Sequence, residues 1–355
     1  MNDFFAGQVF NSYEYFGAHK ESGRIVFRTF APNAANVCIF GSFNNWSEEP
    51  MTQESYGVYS FVSDSADFGD MYKYVIYTKS GERFEHCDPY GFGMELRPQW
   101  ASYIVDLSEY KFTDDKWMEC RNKNYNSPMN IYEVHLGSWL NNPQNENGWY
   151  NYSEIADKLI QYAKKHKYTH LEFLPLSEHP ADCSWGYQNT GFFSPTSRYG
   201  TAAQLMELVD KCHKNNIGVI MDFVPVHFAV DGYGLAQYDG SYLYEYPPSD
   251  VGISEWGTCN FNHSRNETRC LVQSAANFWL EKFHFDGLRM DAISRAIYWG
   301  GDPARGVNEN TVSFLKNMNL GLQKLHPTAM LIAEDSTAFP KITAPVEYDL
   351  SLIHI

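Results

Sequence analysis

The chain has 355 residues, which is enough for two domains with full cores. Its 27 Lys and Arg against 43 Asp and Glu give a formal net charge of −16, and such a surface repels nucleic-acid phosphates. No apolar run is long enough for a membrane span, and no signal peptide is visible. The 7 Cys lack CxxC spacing and are typical of reduced thiols in a cytoplasmic protein. Neither a metal site nor a cofactor is predicted.

The first part of the chain is predicted to be all-β. Residues 17–107 contain short segments with partial alternation of apolar and polar residues, separated by turns rich in Gly, Asn and Pro. This spacing predicts a small immunoglobulin-like β-sandwich. We assign residues 1–110 to this domain and residues 111–129 to a linker.

From residue 130 onward, strand-like and helix-like segments alternate. Such alternation predicts a parallel sheet, here an incomplete (β/α)₈ barrel with about five strands within residues 130–349. The connection 229–267 is long enough to be a functional loop or a small subdomain. Ser153 is expected to cap the first helix, and Thr201 with Gln204 forms a capping-box pattern in the second. The predicted strands are 130–139, 170–176, 218–228, 286–292 and 329–335, and the predicted helices are 153–167, 201–216, 268–283 and 310–325.

Acid and base groups end three successive predicted strands. Asp222 and His227 lie at the end of the third strand, Arg289 and Asp291 share a face of the fourth, and Glu334 ends the fifth. Because the carboxyl ends of barrel strands build active sites, two carboxylates there predict retaining chemistry at a glycosidic bond. Asp291 is expected to be the nucleophile, with Arg289 lowering its pKa, and Glu334 the proton donor, with a raised pKa.

Three segments resemble the sequence regions of the α-amylase superfamily: MDFVPVHF at 221–228, DGLRMDAI at 286–293 and LIAEDS at 331–336. The segments SWGYQ and SRYGT within 178–201, together with 255–269, resemble glycogen (1,4-α-glucan) branching enzymes more specifically. The resemblance covers essentially residues 12–349. It implies that an α-1,4-glucan is cleaved and that the released chain is transferred to a 6-hydroxyl.

The resemblance also implies roles for individual residues. Val226 stands where many amylases have Asn, which branching enzymes tolerate. The implied roles are sugar stacking in the donor subsite for Tyr187, structural support for Asp222, a hydrogen bond to the sugar in the −1 subsite for His227, orientation of Asp291 by Arg289, and acid/base catalysis by Glu334.

Residues 17–107 resemble the β-sandwich carbohydrate-binding module that precedes such barrels. The segment FRTFAPNAANVCIFGSFNNW matches its pattern, although Phe30 stands where that pattern has Trp. Trp46 is the candidate for sugar stacking in the module. Packing in the core is the alternative interpretation for Trp46.

The pattern of the family includes a later His-Asp pair, three more strands and a C-terminal β-domain. None of these follows Glu334 in the sequence. We therefore expect a C-terminally truncated fragment that is inactive by itself. Residues 350–355 also match the translation of a transposase-library sequencing adapter, and we interpret them as a tail unrelated to the fold.

Two alternatives to a branching enzyme stay open from the sequence. One is an α-1,6-debranching hydrolase of the isoamylase or pullulanase type, and the other is a non-catalytic glycogen-binding protein. The expected partners are α-glucan donor and acceptor chains, with no nucleic acid and no membrane. Aromatic residues in two loops are expected to hold both chains by stacking: Trp185, Tyr187, Tyr238, Tyr242, Tyr244 and Trp256.

Overall fold

A computed structural model gives the architecture of most of the chain. The suspected tail at 350–355 lies outside the part that is described. The described residues are 1–122, 127–337, 339, 340 and 342.

The N-terminal part is a sandwich of two antiparallel sheets. One sheet has the strand order β1-β2-β6-β5, and the other has the order β4-β3-β7-β8, with β9 paired to β7. Phe27 and Tyr72 from opposite sheets meet in the core, with ring centroids 4.9 Å apart. The predicted all-β fold is therefore confirmed. The strands are β1 Gly17–Glu21, β2 Arg24–Phe30, β3 Asn36–Gly41, β4 Glu49–Pro50, β5 Thr52–Gln53, β6 Val58–Ser63, β7 Met71–Tyr77, β8 Arg83–His86 and β9 Ser102–Tyr103.

The second part contains five parallel strands that pair in chain order, β10-β11-β14-β17-β18. Long helices connect these strands, as expected for part of a (β/α)₈ barrel. The predicted parallel sheet is therefore confirmed. The strands are β10 Ile131–Val134, β11 His170–Phe173, β12 Ser177–Glu178, β13 Gly191–Pro195, β14 Gly218–Phe223, β15 His227–Phe228, β16 Cys259–Asn260, β17 Gly287–Met290 and β18 Met330–Ala333.

The helices cover the outer face of the parallel sheet. Every residue of β14 is buried, because helices shield one side and the inward-facing side chains meet on the other. The helices are α1 Asn2–Phe5, α2 Asp115–Cys120, α3 Leu136–Trp139, α4 Tyr152–His166, α5 Ala202–Lys214, α6 Asn266–Lys282, α7 Ile293–Ile297 and α8 Glu309–Leu325.

Several local predictions need correction. The segment 218–228 is not one strand: β14 ends at Phe223, and β15 resumes after Pro225 to pair with β16, because proline cannot donate to a ladder. Asn151 caps α4 in a capping box with Glu154. Ser153 instead donates its hydroxyl hydrogen bond to Glu207. The expected capping box at the start of α5 is confirmed.

Among the described residues, no helix combines the length and the apolar character needed to cross a lipid bilayer.

Candidate active site

The predicted site residues of the barrel meet at the carboxyl edge of the parallel sheet. Asp222 on β14 lies opposite Arg289 on β17 in the strand register. The ladder continues past the strand ends, since the Asp291 N–H donates to the Phe223 carbonyl (2.9 Å) and the Glu334 N–H donates to the Met290 carbonyl (3.0 Å). Three neighbouring strands therefore present their side chains at one place.

Arg289 connects two carboxylates. Its Nη1 donates to Asp291 Oδ1 at 2.7 Å and to Asp222 Oδ2 at 3.0 Å. The Tyr187 hydroxyl donates to the same Asp222 oxygen at 2.5 Å. The sequence predicted that Arg289 would contact Asp291, and the geometry agrees. Tyr187 belongs to the same site, because its hydroxyl bonds to Asp222.

Glu334 is fixed by the backbone next to Asp291. The Ala292 N–H donates to Glu334 Oε2 at 2.7 Å. Ala292 has φ +49°, in the left-handed region that non-glycine residues rarely adopt, and this turn aims its N–H at the carboxylate. Ala292 packs in an apolar cluster with Val224 and Val226. A valine at position 226 thus supports the turn that holds both candidate catalytic groups.

The pKa of Asp291 is set by opposing effects. Burial raises the pKa of Asp291 to about 6, and the charges of Glu334 and Asp222 add to this increase. Arg289 acts in the expected direction and lowers the pKa, but it does not outweigh burial. The predicted effect of Arg289 on this pKa therefore has the expected direction, whereas the larger increase caused by burial was not predicted.

Two further carboxylates that the sequence analysis missed lie beside Asp222. Carboxylate oxygens of Glu133, Glu172 and Asp222 lie within 4.8 Å of one another. Burial raises the pKa of Asp222, as do the charges of Glu172 and Glu133, whereas Arg289 and Tyr187 lower it. The pKa of Glu172 is also raised, mainly by burial. Glu133 and Glu172 could have been found from the sequence, because each is an acidic residue within a predicted strand of the parallel sheet.

Among the described residues, this acidic group is the one whose spacing could hold a cation. Arg289 already pairs with Asp222 there and supplies positive charge. The expectation of no metal stays a prediction.

His227 lies at the start of the long connection and is buried, with 3% of its surface exposed. Burial lowers its pKa to about 4, so the ring is neutral at pH 7. Its Nδ1 has no hydrogen-bond partner among the described residues. The Trp256 ring lies 5.3 Å from the His227 ring.

His263 was not predicted from the sequence as a residue of the site. It hydrogen-bonds the Pro225 carbonyl through Nε2 (3.0 Å) and so fixes the bend before His227.

The aromatic residues of the two loops separate into exposed and buried groups. Trp185 and Trp256 are 57% and 45% exposed and are available for stacking. Tyr238 and Tyr244 are 0% and 1% exposed and belong to the hydrophobic core. The expectation that both tyrosines stack on glucan was therefore wrong, because ring type alone does not show which face of a loop is buried.

Trp46 lies in the sandwich and is not part of the cluster at the strand ends. Its side chain is 41% exposed, and one edge packs against Phe40, with ring centroids 5.5 Å apart. Asn45 and Trp46 both have φ +56°, so the backbone of the turn that carries the indole has a conformation that few non-glycine residues adopt. Its role as a sugar-stacking residue stays a prediction.

Comparisons with known proteins support both domains. Residues 15–91 match the model of carbohydrate-binding module 48 (isoamylase N-terminal domain), and residues 141–241 match the model of the alpha amylase catalytic domain. A 1,4-alpha-glucan branching enzyme GlgB from Fusobacterium nucleatum is 45% identical over 96% of this chain and 56% of its own length. One from Francisella tularensis is 43% identical over 97% of this chain and 57% of its own length.

The chain is a homologue of the 1,4-alpha-glucan branching enzymes. The resemblance inferred from the sequence is therefore confirmed. This homologue spans about half the length of the curated relatives it matches.

Among solved structures, a pullulanase from Paenibacillus barengoltzii in complex with maltohexaose and alpha-cyclodextrin superposes with a TM-score of 0.74 at 19% identity. The match covers 96% of this chain and 56% of the pullulanase. A putative alpha amylase from Salmonella typhimurium gives a TM-score of 0.70 at 20% identity, covering 90% of this chain and 50% of the amylase. At this level of identity the likeness concerns the fold.

Proposed function

We propose that this chain belongs to a 1,4-α-glucan branching enzyme and supplies its nucleophile and its acid/base residue. The observation that supports this most is the placement of Asp291 and Glu334 on neighbouring strand ends, with Arg289 bonded to Asp291 and the Ala292 N–H bonded to Glu334. The naming of relatives at 43–45% identity adds the reaction type.

In this proposal the reaction is a retaining double displacement. A carboxylate oxygen of Asp291 attacks the anomeric carbon of an α-1,4-linked glucan, and Glu334 gives its proton to the departing glycosidic oxygen. Glu334 then removes the proton from the 6-hydroxyl of an acceptor glucan as that oxygen displaces Asp291. The products are an α-1,6 branch and the regenerated pair of carboxyl groups.

The neighbouring residues prepare the −1 subsite. Arg289 and Tyr187 hold Asp222, and Arg289 also holds the carboxylate of the nucleophile. His227 is neutral at pH 7, and an uncharged imidazole suits a hydrogen bond to a sugar hydroxyl. Trp256 beside it offers an exposed apolar ring for a neighbouring sugar.

The proposed partners are α-glucan chains, such as glycogen and amylose, and the proposed location is the cytoplasm. All seven cysteines lie within the described residues and are free, which is typical of a reducing compartment. The acidic net charge of −16 favours a neutral polymer over nucleic acid.

Two alternatives predict different products. A debranching hydrolase would begin with the same glycosyl-enzyme but pass it to water. The exposed Trp185 and Trp256 favour transfer, because a stacked acceptor gains a high effective concentration relative to water. A non-catalytic glycogen-binding protein would have no need for the hydrogen-bonded Arg289, Asp291 and Glu334 arrangement.

The test uses the full-length product of the gene that encodes this chain, incubated with amylose. We expect a fall in iodine absorbance with little gain in reducing ends, and new α-1,6 linkages that isoamylase can cut. Release of reducing ends without an α-1,6 signal in NMR spectra would instead identify a hydrolase.

The variant that tests the role of the nucleophile is Asp291→Asn, which keeps the size of the side chain but removes its charge. This variant should lose turnover by several orders of magnitude while glycogen still binds, because no covalent intermediate can form. Activity within about tenfold of the unmodified protein would remove Asp291 from the nucleophile role.

A further inference from the structure

The sandwich is bonded to the loop that leads to the active site. The loop segment 233–241 passes over the edge of the sandwich, and its backbone accepts two hydrogen bonds there. His86 Nδ1 contacts the Gly234 carbonyl at 3.0 Å, and the Cys87 N–H donates to the Tyr233 carbonyl at 2.8 Å. The long connection after β14 is therefore held by a different domain from the one that contains its two ends.

Side chains strengthen this contact at two points, of which the first is buried. The hydroxyls of Thr29 on β2 and Tyr238 in the loop are 2.6 Å apart. Asn33 donates both its backbone N–H and its side-chain amide to Asp239 Oδ2, each at 2.9 Å. Thr29, Tyr238 and Asp239 are at most 1% exposed, so water has little access to the Thr29–Tyr238 bond, whereas Asn33 itself is exposed.

The same loop reaches the active site at its other end. Residues 227 and 228 pair with Asn260 and Cys259 in the β15–β16 ladder. The Phe261 N–H donates to the Val226 carbonyl at 3.0 Å, and the Trp256 ring rests 5.3 Å from the ring of His227.

The two ends of the loop are connected through Glu245, whose carboxylate contacts one end and whose backbone pairs with the other. Glu245 Oε1 accepts from the Gln237 N–H at 2.7 Å, and Glu245 forms a β-bridge with Phe261. The segment 233–241 at the sandwich is thus connected through Glu245 to the strand that lies on His227.

We propose that the sandwich positions the active-site loop, with Thr29 and Asn33 acting as positioning residues for Trp256 and His227. This action is separate from any binding of glucan to the sandwich itself. The effect of this positioning on catalysis rests on the proposed function of the site. The positioning of the loop by the sandwich does not rest on that function.

The first test measures the coupling in the chain itself by hydrogen–deuterium exchange with mass spectrometry. Thr29→Val keeps the shape of the side chain but removes the hydroxyl, and Asn33→Ala removes the amide. We expect faster exchange in peptides from 229–262, with unchanged exchange in the strands of the sandwich. Tyr238→Phe removes the Thr29 bond from the loop side and covers the case in which a sandwich variant fails to fold.

The controls decide between positioning and general destabilisation. Thr52→Val alters an exposed threonine on the edge strand β5 and should leave exchange in the loop unchanged. Thr29→Ser restores the hydroxyl and should restore slow exchange. Unchanged exchange in the loop of all three test variants, or faster exchange throughout the chain, would overturn the proposal.

The second test measures catalysis in the full-length gene product. Because small misplacements of site groups are costly, we expect Thr29→Val and Asn33→Ala to lower kcat/KM by roughly tenfold, mostly in kcat, with rescue by Thr29→Ser. Retention on a glycogen gel should not change. Unchanged kinetics in variants with a loosened loop would also overturn the positioning role. Failure of the unmodified protein to act on glucan would overturn the proposed function and leave the exchange test to decide the coupling.

Discussion

Arg289 serves two carboxylates that differ in burial. The Asp222 side chain is fully buried, whereas the Asp291 side chain is 15% exposed. The guanidinium therefore neutralises one acid inside the barrel and holds the other at the surface of the cleft. Because burial still raises the pKa of Asp291 to about 6, this residue is mostly ionised at pH 7 and protonated at pH 5.

This arrangement predicts how activity depends on pH. A nucleophilic carboxylate works only when it is ionised, so kcat/KM should rise with pH through about 6 in the unmodified protein. Arg289→Gln removes the charge that lowers the pKa of Asp291, and the acidic limb should move to higher pH. The measurement is the release of fluoride from α-maltosyl fluoride by the full-length gene product, since this leaving group needs no proton.

Arg289→Lys is the matched control for that experiment. It keeps the positive charge but loses the planar guanidinium, so activity should fall while the acidic limb stays near its original pH. An acidic limb at the same pH in the Gln and Lys variants would show that another group controls the limb.

At the scale of single residues, the sequence predicts which charged residues meet at the site better than it predicts how deeply each residue is buried. Arg289, Asp291 and Glu334 were found because strand ends in a parallel sheet meet at one edge. The raised pKa of Asp291 could not be predicted, because it depends on how deeply the group is buried. The burial of Tyr238 is also a tertiary effect, since its hydroxyl bonds to Thr29 more than 200 residues earlier in the chain.

At the scale of elements, a buried histidine fastens the linker helix α2 to the barrel. His213 on α5 contacts Asp114 through Nδ1 (2.7 Å) and Asp286 through Nε2 (3.0 Å). Trp117 of α2 stacks on the His213 ring and donates to Asp286 at 2.8 Å. Burial alone would lower the pKa of His213, but its bonds to the two aspartates raise it above the usual value.

This network predicts a loss of stability at alkaline pH. Because the folded state raises the pKa of His213, its contribution is complete below the unfolded pKa of about 6.5 and disappears as pH rises through the folded pKa. The unfolding free energy of the unmodified chain should therefore exceed that of His213→Gln most at pH 6. The gap should narrow at higher pH by about 1.4 kcal/mol per unit of raised pKa.

Urea unfolding at pH 6 to 9 measures this gap, and His166→Gln is the control. His166 lies in the last turn of α4 and is exposed, so its substitution should give a much smaller difference at pH 6 than His213→Gln does. A gap for His213→Gln that is the same at every pH would mean that folding does not change the pKa of His213, and a gap that widens with pH would mean that folding lowers it.

The turn that carries Trp46 leads to a second element-scale prediction. The indole is 41% exposed and projects from two consecutive residues in the left-handed region, which favours a binding role over core packing. Trp46→Ala should reduce retardation of the whole chain in a native gel with glycogen. Tyr56→Ala, at an aromatic side chain that is 63% exposed elsewhere in the sandwich, is the control. Equal retardation of the two variants would assign Trp46 to packing.

Element types were predictable where the sequence is strongly periodic, as in α4 and α5. The predicted ends of strands and helices were wrong where a single residue, such as a proline or a better helix cap, outweighed the hydrophobic pattern. Pro225 interrupts the apolar run that follows β14, and Asn151 offers a better cap than Ser153 because Glu154 completes its capping box. The strand β1, with the mostly polar sequence GAHKE, shows little alternation, and the ladder to β2 holds it in place.

At the scale of the molecule, the first residues of the chain connect the sandwich to the barrel. The Ser12 and Ser274 hydroxyls are 2.8 Å apart, and the Tyr13 hydroxyl donates to Glu281 on α6 at 2.9 Å. Gln273 of α6 donates its amide to the Val9 carbonyl at 2.7 Å. The predicted extent of the first module, residues 1–110, stays a proposal, and its earliest residues contact α6 of the barrel.

Phe4 and Phe5 provide a matched pair for testing this connection. The Phe4 side chain is 3% exposed; its ring lies 5.4 Å from that of Phe30 in the sandwich, while its carbonyl accepts a hydrogen bond from Cys270 of α6. Phe5 is 37% exposed. Removing a buried phenylalanine leaves a cavity, so Phe4→Ala should lower the unfolding free energy by about 3–5 kcal/mol and Phe5→Ala by much less. Because Phe4 contacts both domains, its loss should also broaden the urea transition followed by circular dichroism. Equal effects of the two substitutions would mean that the N-terminal segment covers the surface without joining the domains.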